Sequence, residues 1–132
     1  MDHSIVGIKQ MLEVSDNEGL GIEAWVSDIY SFNEFGGYPF VLLDSMFHFT
    51  QKDKVKETQF LNRLMLEMKV GAIMCICIQI TKKKWEVLEE LISQNPFMRI
   101  IQQEDFLYSF HDRSSGHKST SDYRMLCLEK IH

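Results

Sequence analysis

The sequence has 132 residues, within the usual size range of one globular domain, and 45% of them are hydrophobic. The formal net charge is −5, and acidic residues follow the one basic run at once, so we expect no direct nucleic-acid binding. The most apolar segment, residues 70–80, is about half of the ~20 residues that cross a bilayer. No signal peptide pattern opens the sequence, so we expect no membrane insertion and a cytoplasmic location.

The three cysteines, Cys75, Cys77 and Cys127, are an odd number, and all lie in apolar runs. This pattern favours reduced, buried thiols over a disulfide framework.

The first third of the chain predicts a helix followed by loops and a strand. Apolar residues at helical spacing indicate a helix over residues 4–14, with Ser4 as its cap. A polar, glycine-containing loop follows over residues 15–21, then a strand over 22–29 and a connection over 31–39 that ends in a strong turn signal.

The middle of the chain alternates strands and helices. The predicted order is a strand at 40–43, a helix at 55–68, a strand at 72–80, a helix that ends at Asn95-Pro96, a strand at 97–101 and a short helix at 104–110. Thr50 with Asp53 is expected to cap the first of these helices and Thr81 the second.

This alternation predicts βαβ units, hence a single α/β domain over residues 1–132. We expect a mainly parallel sheet with helices packed on it, a flexible polar loop at 112–121, and a C-terminal strand at 123–131 on the edge of the sheet.

Candidate site residues gather where strands of a parallel sheet would end, because ligands of open α/β sheets bind outside the carboxyl ends of the strands. The predicted polar rim, which we interpret as a small-molecule binding site, consists of Asp44, Ser45, His48, Gln79, Thr81, Glu104 and Asp105.

Motifs for catalysis are absent from the sequence. It contains no phosphate-binding glycine loop and no nucleophile elbow, and His111, Asp112 and His117 match no zinc spacing. We therefore expect no catalytic residues, no metal and no cofactor.

Five short segments follow one another in a recognisable order: VGIKQMLEV at 6–14, WVSDI at 25–29, GGYPFVLL at 36–43, VGAIM at 70–74 and NPFMRI at 95–100. Together they resemble the N-terminal sensory domain of the purine-catabolism regulator (PucR-like) family. The resemblance covers about residues 5–110 and implies an effector-binding domain of a transcriptional regulator.

Three functions follow from these observations. The first is a regulatory, ligand-sensing domain without catalysis, whose partners would be a small metabolite and a second copy or another protein. The alternative is a small acidic protein–protein interaction module, such as an inhibitor, immunity or adaptor protein. The third is a small enzyme that uses Asp44, His48 and Glu104 or Asp105.

Overall fold

The computed structural model describes residues 4–132, and the chain divides into two compact units at residues 33 and 34. The first unit contains helix α1 (Ile5–Glu18). As the sequence predicts, the Ser4 hydroxyl caps it by accepting a hydrogen bond from the backbone N–H of Gly7 at 3.2 Å. The helix is longer than expected and ends at Gly19, whose φ of 66° suits glycine. The strand expected over 22–29 is reduced to an isolated bridge at Val26.

The second unit, residues 34–132, is built on a four-stranded sheet. Its elements are β1 (Phe40–Asp44), α2 (Lys54–Glu67), β2 (Ile73–Gln79), α3 (Lys82–Ser93), β3 (Met98–His111) and β4 (Lys118–Lys130), preceded by a short 3-10 helix (Phe35–Gly37). The predicted helix start at Thr81 is confirmed, because its hydroxyl accepts from the backbone N–H of Lys84.

The strands lie in the order β1-β2-β4-β3. The α/β class is confirmed, but the sheet is mixed: β1 and β2 are parallel, whereas β4 runs antiparallel to both β2 and β3. The C-terminal strand therefore lies inside the sheet and not on its edge. The prediction of a short helix at 104–110 is also wrong, since β3 extends to His111 and pairs with β4, with one register shift between Ile100 and Gln102.

Both long helices of this unit contact the same face of the sheet. From that face, the Lys130 ammonium donates to the carbonyls of Leu66 and Met68 at the end of α2. The guanidinium of Arg124, also on that face, lies 4.2 Å from the ring centroid of Trp85 in α3. We call this the helix-covered face and the other the opposite face. Six strand side chains on the helix-covered face are all but completely buried: Leu43, Met74, Ile76, Ile78, Leu126 and Leu128.

The two central strands are joined on the opposite face by a disulfide between Cys75 and Cys127, which stand directly across from each other in register. Their Cα atoms are 4.2 Å apart, and Cys77 is the free cysteine. The expectation of three reduced thiols is wrong here. The cause is register, since β2 and β4 are antiparallel neighbours and bring together residues that are far apart in sequence.

Among the described residues, no helix combines the length and apolar character needed to cross a membrane.

Candidate functional site

A cleft of about 440 Å³ opens where the parallel strands β1 and β2 end. This is the edge at which open α/β sheets bind ligands. The cleft is lined by Asp44, Ser45, Cys77, Phe106, Tyr108 and Tyr123.

One wall of the cleft belongs to a β-hairpin that extends past the rest of the sheet. The last pair between β2 and β4 joins Gln79 to Tyr123. Beyond that pair, β3 and β4 pair only with each other, out to His111 and Lys118. We call residues 106–123 the arm. Its rings meet at the cleft: the centroid of Tyr123 lies 5.9 Å from that of Phe106 and 5.4 Å from that of Tyr108.

The floor of the cleft is formed by the ends of β1 and β2. The Ser45 hydroxyl donates to Asp44 Oδ1 at 2.9 Å, and the Ser45 backbone N–H donates to the Cys77 carbonyl at 2.9 Å. Ser45 has a φ of 55°, in the left-handed region that non-glycine residues seldom occupy. This bend turns the chain away from the sheet directly after Asp44. Burial, and next the charge of Asp44, raise the pKa of the Cys77 thiol.

A buried carboxylate holds the loop that follows β1. The two oxygens of Glu57, a residue only 2% exposed, accept hydrogen bonds from the backbone N–H groups of His48 at 3.0 Å and Phe49 at 3.2 Å. Phe49 is 1% exposed and has a φ of 49°, and its ring stacks 6.0 Å from that of Phe47. Glu57 thus fixes a loop whose two left-handed residues, Ser45 and Phe49, would otherwise be unfavourable.

The structure brings two of the seven predicted rim residues, Asp44 and Ser45, into the cleft. His48 is exposed in the loop, and its backbone N–H binds Glu57. Gln79 ends β2, exposed, and Thr81 serves as the cap of α3.

Glu104 and Asp105 lie within β3, which contradicts their predicted place at the carboxyl edge. The Asp105 carboxylate accepts two hydrogen bonds from Arg124, at 2.6 and 2.9 Å, which lower the pKa of Asp105. This pair lies on the helix-covered face. Glu104 is on the opposite face in the same row as Asp44, three strand spacings or about 14 Å away. The polar rim is therefore not one cluster.

Sequence reasoning missed the rings of the arm and the buried Glu57. The alternation of Phe106, Tyr108 and Phe110, followed by a Ser-Ser-Gly turn, was the available signal for a hairpin. Nothing in the sequence pattern marks Glu57, whose partners are backbone groups of the preceding loop.

No group of three or more candidate metal ligands occurs within residues 4–132. The acid of the arm's turn, Asp112, is engaged locally: hydrogen bonds from Ser115 and Ser114 lower its pKa to about 2.

No protein-family model and no curated protein matches the sequence. Solved structures do match its fold. TehB from Haemophilus influenzae superposes with a TM-score of 0.68 at 15% identity, over 98% of this chain and 48% of TehB. A SAM-dependent methyltransferase from Methanosarcina mazei gives 0.61 at 12% identity, over 98% of this chain and 80% of that one. An rRNA methylase from Streptococcus thermophilus gives 0.59 at 15% identity, over 99% of this chain and 71% of that one.

This similarity establishes a methyltransferase-like fold, and the chain spans about half the length of TehB. It corrects the resemblance to the PucR-like sensory domain, which rested on short hydrophobic segments that many buried strands share. The expectations of a regulatory, ligand-sensing domain in transcription regulation, and of an interaction module without catalysis, are overturned by the same finding, because the similar structures include a SAM-dependent methyltransferase and an rRNA methylase.

Proposed function

We propose that this chain takes part in SAM-dependent methyl transfer and that the cleft at the carboxyl edge is where the methyl group is transferred. The observation that carries the proposal is the position of the cleft. It lies at the ligand-binding edge of a fold shared with methyltransferases, and a carboxylate and three aromatic rings line it.

The residues of the cleft fit one end of the cofactor. When bound, SAM supplies an electrophilic methyl group on a positively charged sulfur. Asp44 provides a negative charge and the ring of Tyr123 provides an aromatic face, both of which attract organic cations. The residues of the cleft therefore fit the sulfonium end of SAM. The sequence has no G-x-G-x-x-G motif that would form a glycine-rich binding loop for the rest of the cofactor.

The chain's own residues prepare this end of the cleft. Ser45 donates to Asp44 and thereby fixes the direction of the carboxylate. Because its pKa is raised, Cys77 stays a protonated thiol near neutral pH. A thiol is a poor nucleophile compared with a thiolate, so Cys77 does not compete with the acceptor for the methyl group.

The test compares SAM with S-adenosylhomocysteine, which carries a neutral sulfur. We expect isothermal titration to give tighter binding of SAM by about fivefold, the size of an exposed cation–π or charge contact. Asp44→Asn should remove most of this preference. Glu104→Gln, which removes a carboxylate on the same face of the sheet about 14 Å from Asp44, should leave the preference unchanged.

Two results would overturn the proposal. One is the absence of saturable binding of either compound to the folded chain. The other is a preference for SAM that Asp44→Asn does not alter.

A further inference from the structure

The aromatic residues of the arm expose their rings although they lie in a regular hairpin. Phe106, Tyr108 and Phe110 are 42%, 50% and 49% exposed, and they share one face of β3 because they alternate along the strand. This is the opposite face of the sheet, the side on which Asp44 and Cys77 stand.

The cross-strand neighbours explain why the rings are open. Tyr108 pairs with Ser121, and Phe110 pairs with Ser119. A serine side chain is too small to cover an aromatic ring, whereas large cross-strand partners normally pack on each other. The residues directly across the strand therefore leave Tyr108 and Phe110 uncovered, whereas Phe106 pairs with Tyr123, whose ring also contacts Tyr108. The rings of Phe106 and Tyr108 line the cleft together with Tyr123.

The charge around these rings indicates what can bind them. Among the residues that line the cleft, Asp44 is the one charged side chain, and no lysine or arginine is present. An anionic ligand would meet a carboxylate without a compensating cation, and the chain as a whole carries −5. A flat ring without negative charge gains stacking contacts and avoids this repulsion.

We propose that the methyl acceptor is a planar aromatic or heteroaromatic small molecule without a phosphate group, stacked on Tyr108 and Phe106 at the mouth of the cleft. The role of this ligand as methyl acceptor rests on the proposed function, whereas its stacking on the rings does not require the cofactor. The arm then determines specificity, while the edge residues Asp44 and Ser45 face the methyl donor.

The experiment measures binding of naphthalen-2-ol and of decahydro-2-naphthol to the 132-residue chain in the absence of SAM. Both probes are neutral and similar in size, but only the first is flat. We expect naphthalen-2-ol to bind at least about tenfold more tightly, and naphthyl phosphate to bind more weakly than naphthalen-2-ol.

Variants of the arm locate the site. Tyr108→Leu should weaken naphthalen-2-ol binding by about tenfold, and Tyr108→Phe, which keeps the ring, should stay within about twofold. The control is Leu107→Ala, on the other face of the same strand and 70% exposed, which should change nothing. Because each substituted side chain is at least half exposed, the variants should remain folded, and circular dichroism checks this.

If naphthalen-2-ol binds, three results would still overturn the inference. These are equal binding of the flat and the puckered probe, loss of binding in Leu107→Ala instead of Tyr108→Leu, or a single-stranded RNA oligonucleotide that binds through Tyr108 more tightly than naphthalen-2-ol. The last would make nucleic acid the partner. If SAM binds and naphthalen-2-ol does not, this inference alone fails; if naphthalen-2-ol binds and SAM does not, the proposed function fails.

Discussion

The two faces of the sheet in the unit formed by residues 34–132 differ in the exposure of their side chains. On the helix-covered face, Leu43 is 2% exposed and Leu126 is 0% exposed. On the opposite face, Leu42 of β1 is 56% exposed and Tyr108 of β3 is 50% exposed. Leu42 is the immediate neighbour of the buried Leu43 in the same strand. Side chains that alternate along one strand thus have opposite surroundings.

The difference separates stability from recognition. Burial of apolar surface stabilises the fold through the helix-covered face. The opposite face has the cleft, the open rings and the free thiol, which are the groups available to a ligand. Substitutions of buried residues on the first face should therefore change the free energy of unfolding, and those around the cleft on the second should change binding.

The disulfide is the exception on the opposite face and has the largest expected effect on stability. Cys75 and Cys127 are 52 residues apart in sequence, and cross-linking a loop of this length stabilises a fold by about 4 kcal/mol in the chain-entropy account. We expect reduction to lower the free energy of unfolding in urea by about that amount. Cys77→Ser should retain the same dependence on reductant.

A thiol count checks the premise. The unfolded, unreduced chain should show one reactive thiol, Cys77, and the reduced chain should show all three cysteines. Three thiols before reduction would mean that the cross-link does not form.

Neighbouring leucines of β1 test the two faces directly. Leu43→Ala removes a side chain that is 2% exposed and should cost about 3 kcal/mol of unfolding free energy, as for other buried leucines. Leu42→Ala, one residue earlier and 56% exposed, should cost under about 1 kcal/mol. Equal losses, measured by urea unfolding, would contradict the assignment of stability to one face.

The buried carboxylate of Glu57 should matter less than a core leucine but more than any surface acid. Glu57→Gln replaces one acceptor oxygen by an amide that faces a backbone N–H, and leaving a buried donor unsatisfied costs about 2 kcal/mol. Glu86→Gln, which breaks the exposed 3.9 Å pair with Lys82, should change stability by less than about 0.5 kcal/mol. If Glu57→Gln is as stable as the parent chain, Glu57 does not hold the loop.

The smallest expected effect concerns the turn of the arm. Asp112 should titrate with a pKa of about 2 in a carbon-detected NMR titration, below its ordinary value of 3.8. Because the folded pKa is depressed, its contribution to stability is present above pH 3.8 and is lost as the pH falls towards 2. Ser115→Ala should raise this pKa, and Ser119→Ala should not. An unshifted Asp112 would mean that the turn does not form these hydrogen bonds.

The sequence predicts β1, α2, β2 and α3 within one or two residues, because each has a local signal. These signals are the apolar run at 40–43, the Thr50 and Asp53 pair before α2, the cap at Thr81, and the stop at Asn95-Pro96. Local signals fail at β3. Residues 104–110 have apolar side chains at spacings that fit a helix, but pairing with β4 determines their conformation.

The candidate site divides in the same way. Asp44 and Ser45 were predictable because they directly follow a recognisable strand. Cys77, Phe106, Tyr108 and Tyr123 were not, since their place in the cleft depends on the register of β4 between β2 and β3. Glu104 and Asp105 were misplaced by the same error, as the residues that were expected to follow a strand lie in the middle of one.

The most direct test of the central claim is a ¹⁵N-resolved NMR titration of the chain with SAM. We expect saturable shifts at amides around the cleft, in residues 44–48, 77–81, 106–108 and 121–124. A second cleft lies at the amino ends of β1 and β2, around residues 37–39 and 69–72. Shifts concentrated there would contradict the assignment of the site. A folded chain that shows no saturable shift would contradict the proposed function itself.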